Sequence, residues 1–379
     1  MIIQAFLRWV ERARTSDRVK AAHTLASAYA GTSGETLDRQ AAEMAMTFLL
    51  DDPSPKVRLA LAEALAPCPH VPRALLLTLA EDQPEIAFPI LSRSPALLED
   101  DLIELAARGS CELRAFIAVR EGLSRSVSAA IAEIGGEGEA LLLLENASAR
   151  IARRTLKRLS ERLGDRPALR DALLARADLP ADARQLLAEQ VGAALRSTSL
   201  VQQTVGEARM LRITREACAS AALDMAATAD HDDIPALVEE LRATDRLTPS
   251  LLLHALCLGR IDFSAAALVA LTGLAERRVR SILSDGRIHA VRALYESAGL
   301  GRDVSALFAE AMLMRRRESR KGDGEVAASI AAALLLRLRD SADTQALPSG
   351  LAELVERLAI AEERRSVRHY ALQSTREAA

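Results

Sequence analysis

The stretch LLDDPSPKVRLALAEALA, Leu49–Ala66, decides how the chain is read. Two acids, two prolines and two bases crowd between Asp51 and Arg58, and an alternation of Leu and Ala follows. From Val57 onward, Val57, Ala60, Leu61, Ala64 and Leu65 fall at the spacing of one helix face, while Lys56, Arg58 and Glu63 lie largely off it. Upstream, Ala42, Ala45, Met46, Leu49 and Leu50 form a similar stripe, so a helix is expected on each side. Pro53 lacks the amide proton that a helix interior needs, and Pro55 suits a first helical turn behind Ser54 as N-cap. Acids and prolines stand in the order that a helix end, a cap and a helix start require. The stretch is therefore a corner between helices and not a catalytic cluster.

Weaker copies of this corner recur at intervals of about 30 residues, the period of stacked helical pairs. EDQPEIAFPIL places Pro84 before Ile86 as Pro55 stands before Val57. ENASARIARRTLKRL sets Asn146 ahead of Ile151 as Asp52 precedes Val57, and DLPADARQLLAEQV keeps Asp178, Ala183, Arg184, Leu186, Leu187 and Val191. Leu113–Val119 and Val127–Ile134 look helical but break the register. The expectation is an all-α chain: a helical repeat array over residues 1–197, a smaller helical bundle over 198–313, and a charged linker with C-terminal helices over 314–379.

Asp52, then Val57 and Arg58, then Ala60, Ala64 and Leu65 resemble the core signature of HEAT repeats. More widely, from about Leu37 to Gly301, the chain resembles an alphaproteobacterial family of HEAT-like proteins known only as a domain of unknown function. The carrying segments are DDPSPKVRLALAEALA, IAFPILSRSPALLEDDLIELA and HALCLGRIDFSAAALVALTGL. The resemblance implies a HEAT-like solenoid in which Asp52 caps the second helix of its pair and Arg58 joins a ladder of contacts between neighbouring repeats. It supplies a fold and no chemistry.

Composition agrees with helices throughout. Of 379 residues 50% are apolar but only 3% aromatic, and Ala and Leu, strong helix formers, dominate. A net charge of −3 over 49 basic and 52 acidic residues gives no overall pull toward nucleic acid or anionic lipid. Cys68, Cys111, Cys218 and Cys257 are far apart with no paired spacing, which predicts reduced, buried residues of a cytoplasmic protein. MIIQAFLRWVERART is interrupted by Arg8 and Glu11, so no secretory signal is expected, and the longest apolar run, Val326–Leu336, is too short to span a bilayer.

Beyond residue 197 a long helix is expected over Leu200–Met225, then a polar corner at TADHDD. Thr248 caps PSLLLHALCLG with Pro249 at the first helical position, and Gly259, Gly273, Gly286 and Gly299 punctuate short helices at their C-caps. RRRESRKGDGE, Arg315–Glu325, reads as an exposed linker, and amphipathic helices are expected over Val326–Arg339 and Gly350–Leu372.

One segment offers a rival function. AALVALTGLAERRVRSILSDG, Ala266–Gly286, places two short helices about Gly273 and resembles helix-turn-helix DNA readers. Arg277, Arg278 and Arg280 would then supply phosphate or base contacts, although Val269 stands where such motifs place a small residue. His254 with Cys257, and Cys68 with His70, are distant half-sites, so no metal and no cofactor is expected. His231–Asp233, and Asp285 with His289, read as helix-terminal clusters. GxSxG, HExxH and a phosphate-binding glycine loop are absent, EIGGEGEA reads as a turn, and no catalytic residue is assigned. The N-terminal helix, with Ile3, Phe6, Leu7 and Val10 on one face and Trp9 at its border, reads as a cover for the first repeat. MLMRRRESRK, Met312–Lys321, reads as a solvated face. The expected function is non-enzymatic: an interaction scaffold for a protein partner whose identity the residues do not disclose, with Asp52, Pro53, Pro55, Val57 and Arg58 as structural corner residues.

Overall fold

In the computed structural model the described residues are 2–31, 37–319, 329–340 and 349–377, and among them there are α-helices, one short 3-10 turn and no strand. The expected linker at Arg315–Glu325 and the start of the helix expected from Val326 lie partly outside these residues. The chain forms two compact units, Met1–Leu179 and Pro180–Ala379.

In the first unit, helices alternate between two sets. Thr15–Gly31, Pro55–Leu65, Pro84–Arg93, Cys111–Ala118, Glu137–Glu145 and Pro167–Ala175 form one row, each packed on the next. The intervening helices pack in two runs, Ile2–Arg12 on Leu37–Leu50 on Arg73–Ala80, and Glu99–Arg108 on Arg125–Ile134 on Arg153–Leu163. The opening corner explains this alternation. Leu37–Leu50 stops before Pro53, and Pro55 opens the next helix at a position where its missing amide proton costs nothing. Val57, Ala60, Leu61 and Leu65 are then buried, as the stripe predicts, while Ala64 is only half-buried and Ala62 joins the core. Ile86, Ile90 and Leu91 repeat the pattern one helix along the row.

The second unit begins with Ala181–Ser197, which packs on Glu207–Thr228 and Ile234–Ala243. The change of sequence pattern at residue 197 coincides with the end of this helix. The approach is close because Gly192 has no side chain: a Cβ there would lie 2.9 Å from Thr214 Cγ2 and 3.3 Å from Cys218 Sγ. The long helix expected over Leu200–Met225 is two, Ser199–Val205 and Glu207–Thr228, broken at Gly206 with φ +80°. Ile261–Thr272 then meets Glu276–Asp285 and Ile288–Ser297, and the last of these lies on Arg302–Ser319. Phe263, Tyr295 and Phe308 fill the core, with the Tyr295 and Phe308 rings 4.8 Å apart. Thr248 caps Pro249–Cys257 as expected, its hydroxyl accepting from the Leu251 amide. Of the four expected glycine caps, Gly259, Gly273 and Gly299 are left-handed, but Gly286 is extended.

Two further expectations need correction. Cys111 is exposed, because it occupies the first position of its own helix rather than an inward stripe. Ser54 is the N-cap by backbone geometry only; its side chain caps nothing. No helix among the described residues is long and apolar enough to cross a membrane.

Candidate functional site

The corner residues meet in one polar network. Asp52, 6% exposed, accepts from the Ser54 amide at 2.9 Å, so the acid closes the turn that the serine hydroxyl leaves alone. The same carboxylate holds Arg18 from the preceding row helix, at 2.7 Å to Nε and 3.0 Å to Nη2. Arg58 reaches the other way: Nε and Nη2 bind Asp82 at 2.6 and 3.0 Å, and Nη1 donates to the Asp52 carbonyl at 2.7 Å. Such two-pronged pairs fix orientation as well as distance. Burial alone would push the Asp82 carboxyl up, but Arg58 and the Gln83 amide together hold it below the usual carboxylate range. Arg73, helped by the Leu98 amide, does the same for Asp101, which is 1% exposed.

Asn146 repeats the Asp52 geometry. Its Oδ1 accepts from the amide two residues on, Ser148, at 3.1 Å, while Nδ2 donates to the Ala118 and Arg120 carbonyls one helix pair back. Asp178 instead pairs with Arg176 at 2.8 Å. Nothing in the opening stretch signalled the partners Arg18, Asp82 and Asp101. The one available sign was Asp82 just ahead of Pro84.

A second device recurs in both units. An arginine binds carbonyls at the end of a helix, where the last acceptors have no intrahelical donor and the dipole favours a cation. Arg114 donates to Ala106 and Gly109, Arg120 to Leu91 and Ser94, and Arg162 to Ala132 and Gly135. In the second unit Arg316 donates at 2.6 Å to each of Ile282, Leu283 and Gly286. That contact explains why Gly286 need not be left-handed: its extended backbone points the carbonyl at the guanidinium. The expectation that Met312–Lys321 is a solvated face thus fails at Arg316 and at Met312, which is buried in the core; Arg320 and Lys321 lie outside the described residues.

The helix-turn-helix-like segment forms from Ile261–Thr272 and Glu276–Asp285 around Gly273, φ +68°. Its three arginines part company. Arg277 and Arg278 are exposed and make no ion pair among the described residues. Arg280 is held between Asp262 at 2.6 Å and Glu276 at 2.7 Å, and through this bond it pulls the Glu276 carboxyl down. Beside it lies a cavity of about 400 Å³ whose floor includes Ile234, Ala266 and Val269 and whose rim carries His231, Asp232 and Glu239. Cys257 is buried in the helical core, which pushes its thiol up to about 12 and away from nucleophilic use. Among the described residues no group of three or more His, Cys, Asp or Glu side chains could hold a metal ion.

Fold and geometry together define an all-α protein of sequentially packed helix pairs, many of whose polar side chains join one helix to the next. The chain belongs to the bacterial family DUF2336, described as an uncharacterised protein conserved in bacteria, whose family model matches residues 86–348. The opening stretch Leu49–Ala66 precedes the matched region; the segments from Ile86 and from His254 lie within it. No curated protein and no solved structure matches the chain.

Proposed function

We propose that this protein is a HEAT-like helical-repeat scaffold or regulator that acts by binding another protein and carries out no reaction of its own. One observation carries the reading: the first unit contains an unbroken row of six helices, each packed on the next, with ionic and carbonyl contacts directed to neighbouring pairs. A row of this kind offers an extended surface in which small rotations between repeats adapt the face to a partner. The inference runs from architecture to use and so is tested directly. A tagged full-length chain retrieved from its native cell should bring down a protein in stoichiometric amount, identified by mass spectrometry. Recovery of none would overturn the reading. A cytoplasmic location belongs to the same proposal.

A second reading, a DNA-binding regulator using residues 266–286, is favoured by the exposure of Arg277 and Arg278. It is weakened by Arg280, whose charge is already answered by two carboxylates. Binding to nonspecific duplex at low salt, lost on replacing Arg277 and Arg278, would support it; no binding by the wild type would end it.

A further inference from the structure

The six-helix row of the first unit has a face turned away from the core. Counting from the buried residues, Leu59 stands two after Val57 and two before Leu61, and Phe88 stands likewise between Ile86 and Ile90. At 100° per residue these positions lie opposite the buried stripe. The same phase on the next two helices, set by buried Ile117 and Leu143, falls on Ala115 and Leu141. Four consecutive helices thus carry an apolar residue outward. Phe88 is 42% exposed; Leu59, Ala115 and Leu141 are half-buried. Phe116 widens the stripe, its ring meeting that of Phe88 edge-on at 5.1 Å across the two helices.

Charge along the two margins is mostly acidic, four carboxylates to one lysine. Glu85 and Glu112 flank the stripe toward the helix starts, and Glu63 and Glu145 toward the helix ends. All four are exposed and make no ion pair among the described residues, unlike the acids of the corner network; Lys56 is the base in the same register. An apolar strip between carboxylates repels nucleic acid and anionic lipid and suits a helix with an apolar face and basic flanks.

We infer that Leu59, Phe88, Ala115, Phe116 and Leu141, with Glu63, Glu85, Glu112 and Glu145 at their edges, dock a basic amphipathic helix of a partner protein. The assignment rests on the scaffold reading above and names its surface and the chemistry of its partner.

The test is a fluorescence-anisotropy titration of the full-length protein with a labelled synthetic amphipathic Leu/Lys helix and with its Leu/Glu counterpart. The Leu/Lys peptide should bind saturably and more weakly as salt rises; the Leu/Glu peptide should not bind. Phe88→Ala should weaken binding about tenfold. The double reversal Glu85→Lys with Glu112→Lys replaces exposed first-turn side chains that make no ion pair among the described residues, so it keeps the test informative even if Phe88→Ala unfolds. It should weaken binding at least about tenfold and flatten the salt dependence. Glu104→Lys, on a helix outside the row, should change nothing. Absence of binding at low salt, equal binding of both peptides, or binding indifferent to Phe88→Ala and to the double reversal would overturn the assignment. The two proposals fail separately. A cellular partner retrieved equally well by wild type and by the stripe variants would leave the scaffold reading standing and remove the stripe. Peptide binding at the stripe without any retrieved partner would do the reverse.

Discussion

The Leu49–Ala66 corner and the Ala266–Gly286 corner look alike in sequence, a short helix, a turn and a second helix with basic residues near its start, but they are closed by different means. At the first, side chains do the work: Asp52 ties the turn to Arg18, and Arg58 ties it onward to Asp82. At the second, the backbone turns at left-handed Gly273, Arg280 ties the second helix back to Asp262 on the first, and the far end of the second helix is held by Arg316. The difference teaches which charges are available for a partner. Arginines locked into a corner are structure; Arg277 and Arg278, which the glycine corner does not need, are the ones left facing water.

That contrast can be broken by substitution. Arg58→Ala should have the largest effect, lowering stability by about 2–4 kcal/mol in urea denaturation, because it strands Asp82 and the Asp52 carbonyl in a mostly buried setting. Asp52→Ala should cost about 2 kcal/mol by the same measurement, combining a lost turn cap with an unpaired Arg18. An equally stable Asp52→Ala protein would show that the corner is not closed by this acid. Arg316→Ala should cost about 1–2 kcal/mol, since the three carbonyls it serves regain water on partial opening. The smallest effect belongs to Arg277→Ala with Arg278→Ala, expected within about 0.5 kcal/mol of wild type.

Acid sharpens the same comparison. Asp82 and Asp101 have folded-state values below the ordinary 3.8, so they bind protons more readily when unfolded. Their stabilisation is present above about pH 4 and is lost as pH falls through the lower folded values. Thermal unfolding followed from pH 7 to pH 2 should show this loss, and Arg58→Ala should remove the Asp82 share of it. A pH profile unchanged by Arg58→Ala would place the acid sensitivity elsewhere.

Much of the corner was legible because helix ends obey local rules. Pro55, Thr248 with Pro249, and the buried stripe from Val57 to Leu65 each follow from covalent geometry or from a period of one helix turn. Ser54 was misread because the Val57 amide that its hydroxyl would serve bonds the Ser54 carbonyl at 3.0 Å instead, and Asp52 closes the turn through the Ser54 amide. Gly206 was missed because one glycine in an otherwise helical pattern signals a break only weakly. The acidic-edged stripe was not read from sequence at all: its residues belong to four helices, and their common phase emerges only once each helix is aligned on its own core.

What the sequence determined by itself is therefore the class and the joints: all-α, with helices delimited by proline, glycine and threonine and with one face of each apolar. These follow from interactions reaching only a few residues along the chain. The partners of Asp52 and Arg58, the capture of Arg280 by Asp262 and Glu276, and the gathering of Phe88, Phe116 and their neighbours on one face were decided by tertiary structure. Side chains separated by roughly one helix pair touch only after successive pairs stack, and a local pattern carries no record of which pair packs on which.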